Sequence, residues 1–249
     1  MKMPKPKRHR DAPTNKKDDR RRRDAESNEL SLRRDREKTL ADWVPKTELG
    51  RLVKNGEIST MEEVYARNMP ILEPEIVDSL IELSEKMVDF QKTTRVIRAG
   101  RMFSFRAAVL VGDRNGHVGL GTGKDKEKYP ALRKATRQAK LSLIRVERGS
   151  GSWQEQVSGN HSVPFAVEGR SASVRVRFIP APRGTGLVVG DAIKDVLKFA
   201  GITDVWGQTK GNTRTNLNFI RAALDALSKT TRMKASQDMS RKRESTRKG

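Results

Sequence analysis

The stretch NGHVGLGTGKDKEK, residues 115–128, sets four glycines ahead of three lysines. These are the residue types that cradle phosphate, because small residues let backbone N–H groups wrap a polyphosphate while lysine adds charge. Their spacing fails that chemistry. The Walker pattern requires a glycine five positions before its Gly-Lys pair and a hydroxyl after it, whereas Gly123-Lys124 has Val118 before it and Asp125 after it. Gly119, Gly121 and Gly123 also alternate, which does not fit G-x-G-x-x-G. A second stretch, PAPRGTGLVVG at 180–190, is reminiscent of the P-x-x-x-G-L-G-S-S loop of a class of small-molecule kinases. Val188 and Val189 occupy the places where such a loop uses polar residues, and no acidic base is well placed. His9, His117 and His161 are the chain's three imidazoles, and they assemble into no triad or metal cluster. With no cysteine, disulfides, zinc–thiolate sites and thiol nucleophiles are excluded. The expectation is a protein without catalytic residues, metal or cofactor.

Charge supplies the stronger signal. The 249 residues carry 52 Lys plus Arg against 31 Asp plus Glu, a net +21, which makes a polyanion the default partner through counterion release. The excess is uneven. Residues 1–23 and 232–249 are basic tails, residues 24–94 have an acidic balance, and residues 95–149 hold 14 basic against 4 acidic side chains. No apolar run reaches spanning length and no signal-peptide core is visible, so a cytoplasmic chain with no membrane partner is expected.

The elements that would carry this charge follow from periodicity. Residues 1–28 lack large apolar side chains and read as a disordered basic arm. In the acidic part, STMEEVYARNM starts a helix at Ser59 or Thr60, and EPEIVDSLIEL places Ile76, Leu80 and Leu83 on one helical face. Leu49, Leu52 and Val53 form a preceding apolar patch. This extension reads as a helical cap on the next domain. From Thr94 the pattern alternates, with Phe103, Phe105, Ala107, Val109 and Val111 on one strand face and Asn115-Gly116 as a two-residue hairpin turn. Pairing Arg114 with His117 then places Val111 opposite Leu120, Gly112 opposite Gly119 and Leu110 opposite Gly121. The glycines thus mark a flat face that another backbone can approach closely. The stretch YPALRKATRQAKLSLIRV reads as a helix with Leu132, Ala135, Ala139, Leu143 and Val146 buried and a basic surface of Arg133, Lys134, Arg137 and Lys140, interrupted by Leu141 and Ile144.

After a Gly/Ser break the chain reads as an α/β sandwich. HSVPFAVEG and SASVRVRFIPAP form a strand pair, with Ala172, Val174, Val176 and Phe178 inward and Arg175 and Arg177 outward. GDAIKDVLKFAGI is a helix burying Ile193, Val196, Leu197 and Ala200, TDVWGQ is a strand, and NTRTNLNFIRAALDALSKT is a helix burying Leu217, Ile220, Leu224 and Leu227.

RAGRMFSFRAAVLVGDRNGHVGLGTGK, together with IPAPRGTGLVVGDAIKDVLKFAGITDVWGQTKGNTRTNLNFIRA, resembles the universal S-five family of small-ribosomal-subunit proteins in its archaeal and eukaryotic form. WVPKTELGRLV resembles the extension that bacterial members lack. The resemblance covers about residues 43–231. It implies an α+β chain: a disordered arm at 1–28, an N-terminal extension at 29–83, a double-stranded-RNA-binding-like β-β-β-α module at 84–147, a β-α-β-α two-layer domain at 148–231 and a basic tail at 232–249. The partners it implies are small-subunit rRNA, neighbouring ribosomal proteins including S four, and mRNA nearby, at the tunnel through which it enters. Carried over by motif, Arg98, Gly100, Arg101, Phe103 and Ser104 match a loop that reaches toward the head–body hinge of the subunit. Arg183, Gly184, Thr185 and Gly186 match a turn meeting neighbouring components. With Arg106, Lys124, Lys126, Lys128, Arg133, Lys134, Arg137, Lys140, Lys210 and Arg214, the loop makes up the expected rRNA-binding set. The expected role is a structural one in assembly and translational accuracy. A free double-stranded-RNA-binding regulator is the alternative, though a single module fused to a tight second domain suits fixed assembly better.

Overall fold

The computed structural model describes residues 40, 42–150 and 159–232. The expected basic arm, and the basic tail apart from residue 232, lie outside the described residues. Two compact units are Met1–Pro45 and Lys46–Gly249. In the first, the Trp43 N–H donates to the Leu40 carbonyl at 3.4 Å.

The second unit begins with three short helices, α1 (Glu48–Lys54), α2 (Met61–Ala66) and α3 (Pro74–Leu80). Each start has a chemical cause. Thr47 and Thr60 cap α1 and α2 by accepting from Gly50 N–H and Glu63 N–H, and Pro74 supplies a preset φ at the first position of α3. The periodicity of Leu49, Leu52 and Val53 was too short to announce α1 as a helix. In α3 the buried pair is Ile76 and Val77 rather than Ile76 and Leu80, and Leu83 is buried after the helix has ended.

A four-stranded antiparallel sheet comes next, in the order β1-β2-β3-β4: β1 (Ser84–Ile97), β2 (Gly100–Gly112), β3 (His117–Asp125) and β4 (Leu143–Arg145). Between β3 and β4 runs helix α4 (Lys128–Leu141). Its buried stripe is Ala131, Ala135 and Ala139, one residue out of phase with Leu132 at the start, and Leu143 lies on a strand rather than on the helix.

The hairpin register also differs from the sequence expectation. Val111 pairs with Gly119, Leu110 with Leu120 and Gly112 with Val118. The turn has three residues instead of two because the Asp113 carboxylate accepts from the N–H groups of Asn115 (2.7 Å) and His117 (3.0 Å), and Arg114, at φ +62°, turns its own N–H to Phe199. A one-residue slip moves every side chain to the other face. Gly119, Gly121 and Gly123 consequently share a face with Val111, Val109 and Ala107, and that face receives α4. A Cβ on these glycines would collide with the carbonyl oxygens of Ala139, Ala135 and Ala131 respectively. Two ladders of minimal side chains thereby bring helix and strand backbones into contact.

Asp113 also binds His117 Nδ1 at 2.6 Å, and the ring of Tyr65 stacks over His117 at 5.9 Å. Burial pushes the Tyr65 hydroxyl up to about 12. Burial opposes the charge of Asp113, but the hydrogen bonds from His117 and from the two backbone N–H groups outweigh it and hold the carboxyl below its ordinary value. The stabilisation this gives is complete above about pH 4, the unfolded value, and is lost as pH falls through the lower folded value. Asp113→Asn is therefore expected to cost about 1–2 kcal/mol at pH 7. In denaturant titrations the gap from the parent protein should close progressively below pH 4, and a pH-independent gap would contradict the assignment.

The opposite face of the first sheet joins the second half of the chain. Leu110, Val118 and Val146 share one core cluster with Val196, Phe199 and Ile202. The second sheet has order β5-β6-β8-β7: β5 (Val167–Ser171), β6 (Val174–Pro180), β7 (Leu187–Val188) and β8 (Val205–Lys210), with β7 and β8 parallel. Helices α5 (Asp191–Ala200) and α6 (Asn216–Ser228) cover its inner face, where Val174, Val176 and Phe178 are fully buried. Ala172 is not on that face; it takes φ +53° in the turn between β5 and β6. Arg114 N–H donates to the Phe199 carbonyl at 2.9 Å, and Arg148 reaches the carbonyls of Asn115 and Gly201. Lys86 of β1 binds Asp195 of α5 at 2.7 Å. Gly201, at φ +73°, ends α5 in the left-handed conformation, and a side chain there would strike the Arg114 carbonyl. The hairpin turn is thus keyed into the C-terminus of α5.

Candidate nucleic-acid interface

Strand β3 pairs with β2 only over Phe105–Gly112, whereas β1 pairs with β2 up to Gly100. The outer parts of β1 and β2 therefore run on alone as a two-stranded ribbon, closed by Arg98 and Ala99 before Gly100 at φ +124°. The expected loop at 98–104 is this ribbon: Arg98 and Gly100 are at its turn, while Arg101, Phe103 and Ser104 are in β2. The face continuous with the α4 side holds Phe90, Lys92, Phe103, Phe105 and Arg101; the other holds Arg95, Met102, Ser104 and Arg106. Cross-strand chemistry stiffens it. Lys92 Nζ lies 4.0 Å above the Phe103 ring, Phe90 stacks on Phe105 at 5.5 Å, and the Thr93 and Ser104 hydroxyls meet at 2.7 Å.

At the tip, Arg95, Arg98 and Arg101 are exposed beside Val96, Ile97, Met102 and Phe103, whose side chains remain 42–74% exposed. A two-stranded ribbon with uncovered apolar groups is marginal in water. Its composition suits a partner offering both phosphate and apolar surface. Arg95, Val96, Ile97 and Met102 were not among the expected site residues, because β1 has no period-2 pattern of its own and only its pairing with β2 identifies it.

Lys124 pairs directly with Arg106 across β3 and β2, and Lys124, Lys126, Lys128, Arg133 and Arg137 are all exposed. Lys128 leans toward the Phe90 ring at 5.5 Å, so the start of α4 adjoins the base of the ribbon. Two members of the expected basic helix surface have other partners. Lys134 binds Asp125 at 2.7 Å while staying mostly exposed. Lys140, with 12% side-chain exposure, is held between Asp78 at 2.9 Å and Glu85 at 3.3 Å, fastening α4 to α3 and β1. The outward cations of this helix are Lys128, Arg133, Lys134 and Arg137, and part of the acidic extension is spent on internal ion pairs. Its helices act as the cap that the sequence suggested.

Lys210 and Arg214 are exposed at and beyond the end of β8, in the second half of the chain. At the 183–186 turn, Gly184 and Gly186 take φ +85° and +72°. Its N–H groups are not free to cradle a phosphate. Asp204, a buried carboxylate, accepts from Gly186 N–H at 2.8 Å, and Thr203 donates to it at 2.8 Å. Burial raises this carboxyl, yet these bonds, with the Gly184 N–H and His161, hold it below its usual range. The turn supplies its own anion, which removes the physical basis of the kinase-like reading.

Comparison with known proteins agrees with the two-sheet organisation. Residues 83–147 match the family described as Ribosomal protein S5, N-terminal domain, and residues 169–243 match Ribosomal protein S5, C-terminal domain. The chain is similar to small ribosomal subunit protein uS5 of Hyperthermus butylicus, with 52% identity over 76% of this chain and 90% of that protein. It is 46% identical to the protein of the same name from Methanothermobacter thermautotrophicus, over 80% of this chain and 92% of the relative. The corresponding protein of Saccharolobus islandicus is also 46% identical, over 82% and 96%.

Proposed function

Because the chain belongs to the ribosomal protein S5 family, we propose that it is a structural constituent of the small ribosomal subunit in the cytoplasm, binding small-subunit rRNA. The observation that carries the rRNA reading is the ribbon, whose exposed arginines stand beside apolar side chains that join neither core cluster. On this reading Arg98, Gly100, Arg101, Phe103 and Ser104 meet rRNA with Arg106, Lys124 and Lys126 add charge at and beyond the end of β3, and Lys128, Arg133, Lys134 and Arg137 extend the contact along α4. Residues 84–147 act as a double-stranded-RNA-binding-like module, joined to a two-layer α/β domain over 148–231 in which β5, β6 and β7 precede the α5-β8-α6 run. The Arg183–Gly186 turn meets a neighbouring component, and S four is among the neighbouring proteins. The chain lies near the tunnel through which mRNA enters and contributes to assembly and translational accuracy. This role is structural, with no catalytic step.

A tagged full-length chain in its native cells should co-sediment with small subunits at moderate salt, and free migration would favour the regulator alternative. A second measurement addresses the helix. Neutralising Arg133 and Arg137 to Gln should lower the salt slope of rRNA binding by about one unit per lost phosphate contact. Lys140→Gln should alter stability far more than that slope, since its amine is engaged internally. An unchanged slope in the arginine variant would remove α4 from the interface.

A further inference from the structure

The second sheet packs one face beneath α5 and α6 and leaves the other open. Strand register aligns the open face in three rows across the strands. Arg170, Arg175 and Lys210 form the first row, Glu168, Arg177 and Gln208 the second, and Ile179, Trp206 and Val188 the third. Neighbouring strands are about 4.8 Å apart, and successive rows are roughly 6.8 Å apart along a strand. Three cations directly abreast destabilise a sheet. Among the described residues, no ion pair relieves Arg175, Arg177 or Lys210, and all three are exposed. Arg170 spends its Nε on the Ala172 carbonyl at 3.1 Å and is exposed. In the third row Trp206 is 38% exposed and Val188 53% exposed, a ring and an aliphatic side chain open to solvent beside the cations.

The fold leaves the row of three cations and the open part of the indole uncompensated, so both point to a ligand. We propose that this open face is a second RNA-binding surface, which takes an unpaired RNA segment with one base stacked on Trp206 and its phosphates on Arg177, Arg175, Arg170 and Lys210. Unpaired RNA fits better than a duplex, because stacking on a side chain requires a base splayed from its helix and a flat sheet cannot follow a groove. It also fits better than an acidic protein segment, which would satisfy the cations but leave the indole face without a planar partner. Row spacing suits successive units of a strand, with the ring and the cation rows offset along one direction. Lys210 alone of these residues belongs to the rRNA-binding set expected from sequence. The inference rests on the RNA-binding reading above and adds a site on the other half of the molecule.

The test uses the full-length chain with two fluorescent probes, a uridine oligomer of about 12 nucleotides and an RNA duplex of similar length. Trp206→Leu should weaken the oligomer about tenfold or more while changing duplex binding less than twofold, and Trp206→Phe should restore most of the loss. Arg175→Gln with Lys210→Gln should weaken the oligomer and lower its salt slope. Circular dichroism and thermal unfolding should match the parent, since all three side chains are outside the core. Oligomer affinities within twofold of the parent for both variants would overturn the proposal. An Arg98→Glu, Arg101→Glu variant separates the two readings. If it weakens rRNA binding while the sheet variants do not, the open-face site fails and the ribbon reading stands; if none of the variants matters, both fail. In native subunits, crosslinks from Trp206 to RNA would support the site, and a protein seated over β6 and β8 would overturn it.

Discussion

Gly121→Val is expected to abolish the folded first half of the protein. The added Cβ would collide with the Ala135 carbonyl and would lie 2.9 Å from Ala139 Cα, so α4 itself would have to lift from the sheet. No flexible side chain is available to yield, because the opposing atoms are helix backbone. Lifting α4 would open the cluster in which Ala131, Ala135 and Ala139 pack on Ala107, Val109 and Val111. A cost above about 4 kcal/mol is expected, a large part of the roughly 5–15 kcal/mol that holds a typical domain together. Soluble yield should fall sharply, and any soluble fraction should unfold at far lower denaturant. Leu120→Val, one residue away on the opposite face, should cost only about 1 kcal/mol and serves as the control. Equal denaturation midpoints for Gly121→Val and the parent would refute the backbone-contact account of these glycines.

The second large effect is expected at the ribbon and should leave the fold intact. Arg98→Glu with Arg101→Glu replaces two cations by two anions at a tip outside both core clusters. Affinity for small-subunit rRNA should drop by roughly two orders of magnitude at low salt, and the salt slope should lose about two units. Thermal unfolding should stay within about a degree, because surface changes of this kind cost under about 0.5 kcal/mol. Subunits carrying the variant should misread or translocate abnormally even where they assemble, which ties the binding measurement to function. Normal affinity, slope, misreading and translocation together would mean that the ribbon arginines are simply solvated.

The parts of this architecture visible in the sequence were those with a strong period. Helices α5 and α6 declared themselves through Ile193, Val196, Leu197, Leu217, Ile220 and Leu227, and β6 through Val174, Val176 and Phe178 flanked by Arg175 and Arg177. Three features were hidden for separate physical reasons. The register of the β2–β3 hairpin turned on the Asp113 carboxylate, which outcompetes the local preference of Asn115-Gly116 for a two-residue turn. Strand β1 is polar on much of both faces, because its outer half touches only β2. The fate of Lys140 depended on Asp78 and Glu85, at distant positions in the chain, so a cation that counts as surface on a helical wheel is in fact a fastening. The glycine alternation was legible as a close approach, but the identity of the approaching backbone, α4, was not.

The seating of the hairpin turn on α5 also carries a consequence for how the chain is made. Lys86 and Asp195, which join across this junction, are 109 positions apart. Phe199, which packs in one cluster with Leu110 and Val118, follows Val118 by 81 positions, so at synthesis rates of about 5–20 residues per second this apolar face stays uncovered for roughly 4–16 s after its own strands emerge, long compared with hairpin formation. During that interval the nascent chain presents a sticky sheet beside a strongly cationic ribbon, in a cytosol crowded with nucleic acid. A chaperone that recognises the half-made protein would have to shield this face before α5 arrives, and its release should coincide with the emergence of residues beyond Gly201.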